Sequence, residues 1–190
     1  MYTWDELTNF IVNCHRCPLC ETRKNAVMGK GNLNADIMFI AEAPGSTEDE
    51  MGVPFVGPAG QLFDKLLADC GLTRDEIYIT NILKCHPPRN RDPLESEKAR
   101  CFEYLRYETF LLKPKIIVCL GRVAAQRLLA PDYKITKQHG TWIHRKKYMM
   151  TAVYHPSALL RDPSKVEMTR MDFKEIVKMR DYINNNPDKL

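Results

Sequence analysis

Apolar residues follow two rhythms along this chain. Residues 36–41, 77–80, 115–120 and 148–154 are short, nearly continuous apolar runs rich in Ile, Val, Met, Phe and Ala. Runs of this length, bounded by Gly, Pro and Asn, read as strands buried on both faces. Residues 61–70, 95–113, 122–129 and 165–183 instead repeat apolar positions every three to four residues, the signature of helices with one face inward. Thr3-Trp4-Asp5-Glu6 is a capping-box pattern that opens an amphipathic helix through about Asn13, and a second Thr-x-x-Glu, Thr73 to Glu76, leads into the strand at 77–80. Gly71 and Pro114 stand where the helices before them should stop. Residues 133–147 read as a turn-rich excursion with some β structure, and 184–190 as a frayed tail.

Strands alternating with helices make the chain an α/β protein with a parallel sheet covered on both faces. In such sheets ligands bind at the carboxyl ends of the strands. The unusual segments all fall there: Glu42 to Gly45 after the first strand, Asn81 to Arg91 after the second, Gly121 after the third, and His155-Pro156-Ser157 after the fourth. With no internal repeat and no linker, residues 1–190 are expected to form a single domain, residues 1–20 being a helix and a cysteine-bearing arm.

Composition narrows the picture only modestly. A chain of 190 residues can bury a full core without metals or disulfides. The net charge of +4 is too small to signal nucleic-acid binding by itself. Its distribution says more, because basic residues gather at 84–91, at Arg145-Lys146-Lys147 and at Arg161, and the first of these clusters is punctuated by proline and asparagine, which hold charges on a shaped loop. No apolar run approaches a bilayer span and no signal-like segment opens the chain, so a cytoplasmic protein without membrane contact is expected. In a reducing compartment, the seven cysteines argue for ligands and buried thiols rather than a disulfide framework.

Four of those cysteines form two distant pairs, Cys14 and Cys17 as C-x2-C and Cys85 and Cys101 as C-x15-C. Thiolates so arranged suit either zinc or an iron–sulfur cluster, and either would tie the N-terminal arm to the middle of the chain. Cys20 extends the first pair and is a competing ligand, while Cys70 and Cys119 read as core thiols. The Gly/Pro-rich stretches 41–45 and 52–60 carry Glu42 and Phe55; small residues let backbone N–H groups approach a ligand, and a phenyl ring can stack on a planar base. Asn81 both donates and accepts, the inventory needed to read a nucleobase edge, although a lone Asn equally serves a turn. His155 suits donation to a carbonyl oxygen or acid–base work, although a lone His equally serves structure. Leu159 and Leu160 beside Arg161 suit a wedge entering a duplex while the Arg holds a phosphate.

Taken together, these blocks resemble the family 4 uracil-DNA glycosylases, the iron–sulfur branch of the uracil-DNA glycosylase superfamily. The resemblance runs from about Cys14 to Arg161, through the C-x2-C, Glu42-Ala43-Pro44-Gly45, Gly52-x-Pro54-Phe55-Val56-Gly57, Thr80-Asn81-x-x-Lys84-Cys85-x-Pro87-Pro88-x-Asn90-Arg91 and His155-Pro156-Ser157-Ala158-Leu159-Leu160-Arg161 segments. It implies a three-layer α/β/α sandwich around a four-stranded parallel sheet, a [4Fe–4S] cluster on Cys14, Cys17, Cys85 and Cys101, and hydrolytic removal of uracil from DNA to leave an abasic site, the first step of base excision repair.

By the same resemblance Phe55 stacks on uracil, Asn81 reads its edge, His155 donates to the base oxygen that gains charge, and backbone N–H groups around Ala41, Glu42 and Ala43 face the base. Glu48 falls where the family excludes the thymine methyl. Glu42 is the carboxylate placed to orient water or stabilise the sugar cation. Lys84, Arg89, Arg91, Ser157, Leu159, Leu160 and Arg161 form the expected DNA surface. Uracil-containing DNA, single- or double-stranded, is the implied partner, a DNA sliding clamp a candidate second one, and the chain is expected to act as a monomer.

Two positions depart from the family's usual residues: Ala41 stands for Gly, and His86 for Arg. At φ < 0 the Ala41 methyl is harmless, whereas a positive φ would alter the pocket; His86 removes a permanent charge and should weaken DNA affinity modestly. The alternatives are a glycosylase for another deaminated base and a catalytically weak iron–sulfur DNA-binding module.

Overall fold

The computed structural model describes residues 2–187. Helix α1 (Trp4–Val12) opens on the expected capping box, Thr3 N–H donating to Glu6 Oε2 at 2.8 Å and Glu6 N–H to Thr3 Oγ1 at 3.2 Å. A short α2 (Leu19–Thr22) and a two-residue strand β1 (Lys30–Gly31) lead to β2 (Ile37–Ala41), α3 (Ser46–Met51) and α4 (Pro58–Asp69), the last with Pro58 in its first turn. Strand β3 (Ile77–Asn81) is followed by the long α5 (Glu95–Leu112), which ends where Lys113 turns left-handed (φ 52) ahead of Pro114. Then come β4 (Ile116–Leu120), α6 (Arg122–Leu128), α7 (Ile135–Gln138), β5 (Ile143–Arg145), β6 (Tyr148–Val153), α8 (Pro156–Arg161) and α9 (Val166–Asn185).

The sheet has six strands in the order β1-β3-β2-β4-β6-β5, not the four expected. Its four central strands are parallel, with Ile37 opposite both Ile77 and Ile116, and Ile116 opposite Met149. The two extra strands are antiparallel edges: β1 lies on β3, and β5 forms a hairpin with β6. Both escape a search for apolar runs, since β1 has two residues and β5 is largely exposed. Edge strands need no second buried face, so their sequence need not be apolar.

Helices cover both faces. Phe63, Leu66 and Leu67 of α4 and Phe173 and Ile176 of α9 pack on Phe39, Ile79 and Val118. Leu105 and Leu112 of α5 and Ala124 and Ala125 of α6 pack on Met38, Ile40, Ile117 and Ala152. A third cluster joins Leu7 and Ile11 of α1 to Leu83, Cys85, Cys101 and Tyr104, so the N-terminal arm is docked against the loop after β3 and the start of α5. The expected frayed tail begins too early: Asn184 lies within α9, donates to Asp36 Oδ2 at 3.1 Å and accepts from Lys115 Nζ at 2.6 Å. The last part of that tail, 188–190, lies outside the described residues. Among the described residues no helix is long and apolar enough to cross a membrane.

Candidate active site

Strand order reverses beside β2, since the chain passes from β2 to β3 on one side and then to β4 on the other. Crossovers leave opposite sides of the sheet there and open a crevice at the carboxyl ends. A cleft of about 640 Å³ occupies that place, lined by Glu42 and Ala43 after β2, Asn81 at the end of β3, Gly121 after β4 and His155 after β6. The segments singled out at the strand ends thus converge on one cavity.

Asn81 is 2 % exposed, yet its side-chain Oδ1 is buried without a hydrogen-bond partner. A buried amide oxygen left unpaired costs about 1–3 kcal/mol, so a turn-serving role does not account for it and a ligand would. The backbone holds it in place: Asn81 closes the β2–β3 ladder opposite Ala41, and its carbonyl accepts from Lys84 Nζ at 2.8 Å.

His155 precedes α8, and the backbone N–H of Ser157 donates to its Nδ1 at 3.1 Å. A backbone N–H can only donate, so Nδ1 carries no proton and the neutral ring bears its hydrogen on Nε2. Ser157 Oγ stands 2.8 Å from the same Nδ1. Burial, reinforced by the positive charge of Arg161 and opposed by Glu48, lowers the imidazole pKa to about 4. At neutral pH the ring is therefore an uncharged N–H donor. Gly121, at φ 86, makes room for it, because a Cβ there would lie 2.9 Å from His155 Cβ.

Phe55 packs beside this ring, their centroids 5.7 Å apart and tilted by 41°. Its backbone is left-handed (φ 56), a conformation unusual for a phenylalanine. Three contacts hold the turn: Glu48 Oε1 accepts from Val56 N–H at 3.0 Å and Gly57 N–H at 2.8 Å, and Arg74 Nη2 donates to the Phe55 carbonyl at 2.6 Å. The Glu48 carboxylate is thereby committed to the aromatic turn as well as lining the cleft. Glu42 also lines it, half-buried; burial and the negative charge of Asp92 raise its carboxyl pKa, against the pull of Arg122 and Lys98. Ala41 does not line the cleft. It sits fully buried within β2 and is absent from the residues of positive φ, so its methyl is accommodated in the core.

The expected DNA surface divides. Arg89 is exposed, Arg91 is half-buried and bound to both Glu97 carboxylate oxygens at 2.9 and 2.5 Å, and Ser157 and Arg161 line the cleft mouth. Two residues are corrected. Lys84 is 1 % exposed, with Nζ bonded to Thr80 Oγ1 at 2.6 Å, the Asn81 carbonyl at 2.8 Å and Glu108 Oε2 at 2.5 Å, so it faces the interior and not a phosphate. Leu159 is 0 % exposed in the core under α8, whereas Leu160 is 49 % exposed. Successive helical residues point about 100° apart, so adjacent leucines need not share a face, and here one turns inward and the other outward.

Cys14, Cys17, Cys85 and Cys101 line one small cavity, with Cys20 beside them. Arg23 Nη1 lies 3.1 Å from Cys85 Sγ, and the Lys84 N–H points to Cys101 Sγ at 3.3 Å. Burial pushes the thiol pKa of Cys17 and Cys85 up and that of Cys101 to about 12. Cys85 and Cys101 are buried with N–H donors aimed at their sulfurs, while Cys14 and Cys17 are partly exposed; a bound cation would reverse that upward push. All seven cysteines are free of disulfides. Among the described residues no group of three or more His, Cys, Asp or Glu stands at the spacing of a metal-ion site.

Sequence reasoning passed over Arg122, which lines the cleft and acts on Glu42, and Tyr154 at the end of β6. Adjacency to a strand end was the available signal for both. It also passed over Arg23, for which spacing offers none.

The crevice at the carboxyl edge of the sheet brings together a buried amide oxygen without a partner, a neutral N–H imidazole and an aromatic ring, the donors, acceptors and flat face that a planar polar heterocycle would need. Residues 28–180 match the model of the Uracil DNA glycosylase superfamily, and the chain belongs to that superfamily. It is 42 % identical to the type-4 uracil-DNA glycosylase of Archaeoglobus fulgidus over 93 % of this chain and 92 % of that one. It is 39 % identical to those of Thermotoga maritima, over 96 % and 98 %, and Sulfurisphaera tokodaii, over 93 % and 84 %. Within the superfamily its place is with the type-4 uracil-DNA glycosylases.

Proposed function

We infer that the protein is a uracil-DNA glycosylase acting at the start of base excision repair, with its chemistry divided among the cleft residues as follows. The observation that carries the reading is the unpartnered Asn81 amide facing the same cleft as the neutral His155. A uracil flipped out of the stack offers Asn81 an N3–H donor and an O4 acceptor, while its ring meets Phe55. Flipping costs a few kcal/mol, least where the base is mispaired or single-stranded.

Cleavage breaks the C1′–N1 bond, the electron pair leaving with the base and positive charge growing on the sugar. His155 Nε2–H donates to the base O2, where negative charge develops; a preorganised donor of this kind is worth about 2.7–4 kcal/mol. Glu42 orients the water that adds to C1′ and faces the sugar cation. The water's proton passes to the departing base, giving free uracil and an abasic site. Arg89, Arg161 and Ser157 contact phosphates, and exposed Leu160 enters the space the base vacates. Glu48, by fixing the turn that carries Phe55, sets the wall against a thymine methyl.

Similarity to the type-4 enzymes and the single cavity lined by Cys14, Cys17, Cys85 and Cys101 support a [4Fe–4S] cluster held by these four sulfurs. When bound it supplies a rigid link between the N-terminal arm and the loop after Asn81. Cys85 and Cys101 receive donors from Arg23 and the Lys84 N–H, which stabilises their thiolate form.

The test is incubation with labelled oligonucleotides containing uracil, single-stranded and opposite guanine, then alkali to cleave abasic sites. Cleavage by the wild type, and its loss in Asn81→Ala and His155→Ala proteins that still bind the same DNA, is expected. Well-folded, coloured protein that leaves the uracil in place would falsify the assignment.

A further inference from the structure

A second cavity, of about 680 Å³, lies on the α5–α6 face of the sheet, over the amino-terminal halves of β4 and β6. It exists because α6 is too short for the strands it covers. Seven residues of helix rise about 10 Å, whereas the six of β6 extend about 20 Å. Starting at the carboxyl end of β4, α6 stops halfway, and the amino-terminal halves of β4 and β6 are left open between α5 and the β5–β6 hairpin. Ile117, Met150, Leu105 and Leu128 form the apolar floor, and Phe110 stands half-exposed at its edge.

The rim has one sign of charge. Arg106, Lys113, Arg127, Arg145 and Lys147 line the groove, and none of its lining residues is acidic. Arg127 is paired with Glu95 at 2.6 Å, but Arg106, Lys113, Arg145 and Lys147 take part in no ion pair among the described residues. A protein of net charge +4 thus places four unneutralised cations around one apolar slot. Leu105, Ile117 and Met150 are buried beneath the groove and Phe110 is exposed at its edge, so the like-charged rim is the feature that marks an interaction site.

We propose that this groove docks an acidic, leucine- or phenylalanine-bearing peptide segment of a partner protein. Apolar side chains fill the floor and carboxylates meet the rim, the division of labour of protein interfaces. The position favours a partner over substrate DNA. The cleft gathers the loops after the strands, whereas the groove lies against the α5–α6 face of the sheet, and no residue lines both. The groove therefore stays available while the cleft holds DNA.

The probe is a fluorescein-labelled peptide alternating aspartate and leucine and ending in phenylalanine, compared by anisotropy with an analogue carrying asparagine for aspartate. Binding of the acidic peptide at least about tenfold tighter than the neutral one, weakening with salt, is expected. The exposed double variant Arg106→Glu/Lys147→Glu and the variant Phe110→Ser should each weaken it about tenfold while excising uracil from a short oligonucleotide at the wild-type rate. Equal affinity for both peptides, or indifference to both variants, overturns the proposal. So does displacement of the peptide by uracil-free oligothymidylate, which would make the groove a nucleic-acid path.

Discussion

Lys84 Nζ donates to the carbonyl oxygen of Asn81 at 2.8 Å while its own backbone N–H points to Cys101 Sγ at 3.3 Å. One residue thus touches both the base-reading position and the cysteine cavity. Its charge is met by Glu108, which also accepts from Tyr78 Oη at 3.1 Å and Gly29 N–H at 3.2 Å. Removing one partner leaves an uncompensated buried charge, so Lys84→Met should cost about 3–5 kcal/mol in denaturant unfolding. The double variant Lys84→Met/Glu108→Leu should recover part of that loss. A Lys84→Met protein as stable as the wild type would show that the pair holds nothing in place.

That relationship also shows where sequence reading fails. Lys84 follows an apolar strand in a basic loop, and such positions are normally solvated. The contrary sign lay 24 residues on: Cys101, Tyr104, Leu105, Glu108 and Leu112 share the buried stripe of α5, and a carboxylate on such a stripe calls for a buried cation. The four central strands were legible because burial on both faces demands continuous apolar residues, whereas β1 and β5 meet no such demand. The cleft was legible because parallel topology sends every strand-end motif to one edge. His86 was read as a lost charge, but its Nδ1 lies 2.9 Å from the Pro44 carbonyl, a link between the loops after β3 and β2 that no local pattern contains. Ala41, a departure that raised the question of an altered pocket, is an ordinary buried strand residue.

His155 gives a pH prediction with a definite sign. Its folded pKa, about 4, lies below the ordinary value of 6.5. Between those values the unfolded chain binds a proton that the folded one refuses, so this residue's contribution to stability is present above pH 6.5 and declines as pH falls toward 4. In an NMR titration the His155 ring should stay neutral, with its proton on Nε2, down to about pH 4. A midpoint near 6.5 would contradict the neutral-donor role, and wild-type uracil excision should show no inflection there from this residue.

Glu42 should supply the acid limb of the pH–rate profile. Burial and Asp92 raise its pKa above the usual carboxylate value, so the ionised form needed to orient water is lost sooner on acidification than for an exposed glutamate. The limb in kcat/KM should therefore lie higher than an exposed glutamate would place it and disappear in Glu42→Gln, with kcat reduced about 10²-fold. An unshifted limb surviving in Glu42→Gln would assign it elsewhere.

The cysteine cavity makes metal removal informative. If Cys14, Cys17, Cys85 and Cys101 hold the cluster, alanine at any of the four should bleach visible absorption and reduce iron content, whereas Cys20→Ala should keep both. Arg23→Ala should keep the iron but shift the cluster's reduction potential downward, since a cationic donor to Cys85 Sγ favours the more negatively charged reduced form. Iron lost only with Cys20 would redraw the ligand set.

Gly60 and Phe55 test whether the aromatic wall depends on its backbone geometry. A Cβ on Gly60 would lie 2.0 Å from the Phe55 carbonyl oxygen, and that oxygen cannot retreat without breaking its 2.6 Å bond from Arg74. Because the clash is with backbone, Gly60→Ala must displace the left-handed turn itself. Phe55→Leu leaves that turn intact and removes only the ring. If stacking is what the turn provides, both variants should raise KM for uracil DNA, but only Gly60→Ala should also lower the melting temperature, by several degrees for a loss of about 1–3 kcal/mol. Restored binding in Phe55→Tyr, which keeps an aromatic face, would complete the case, whereas a normal KM in Phe55→Leu would show that the ring serves only the core it shares with Phe63.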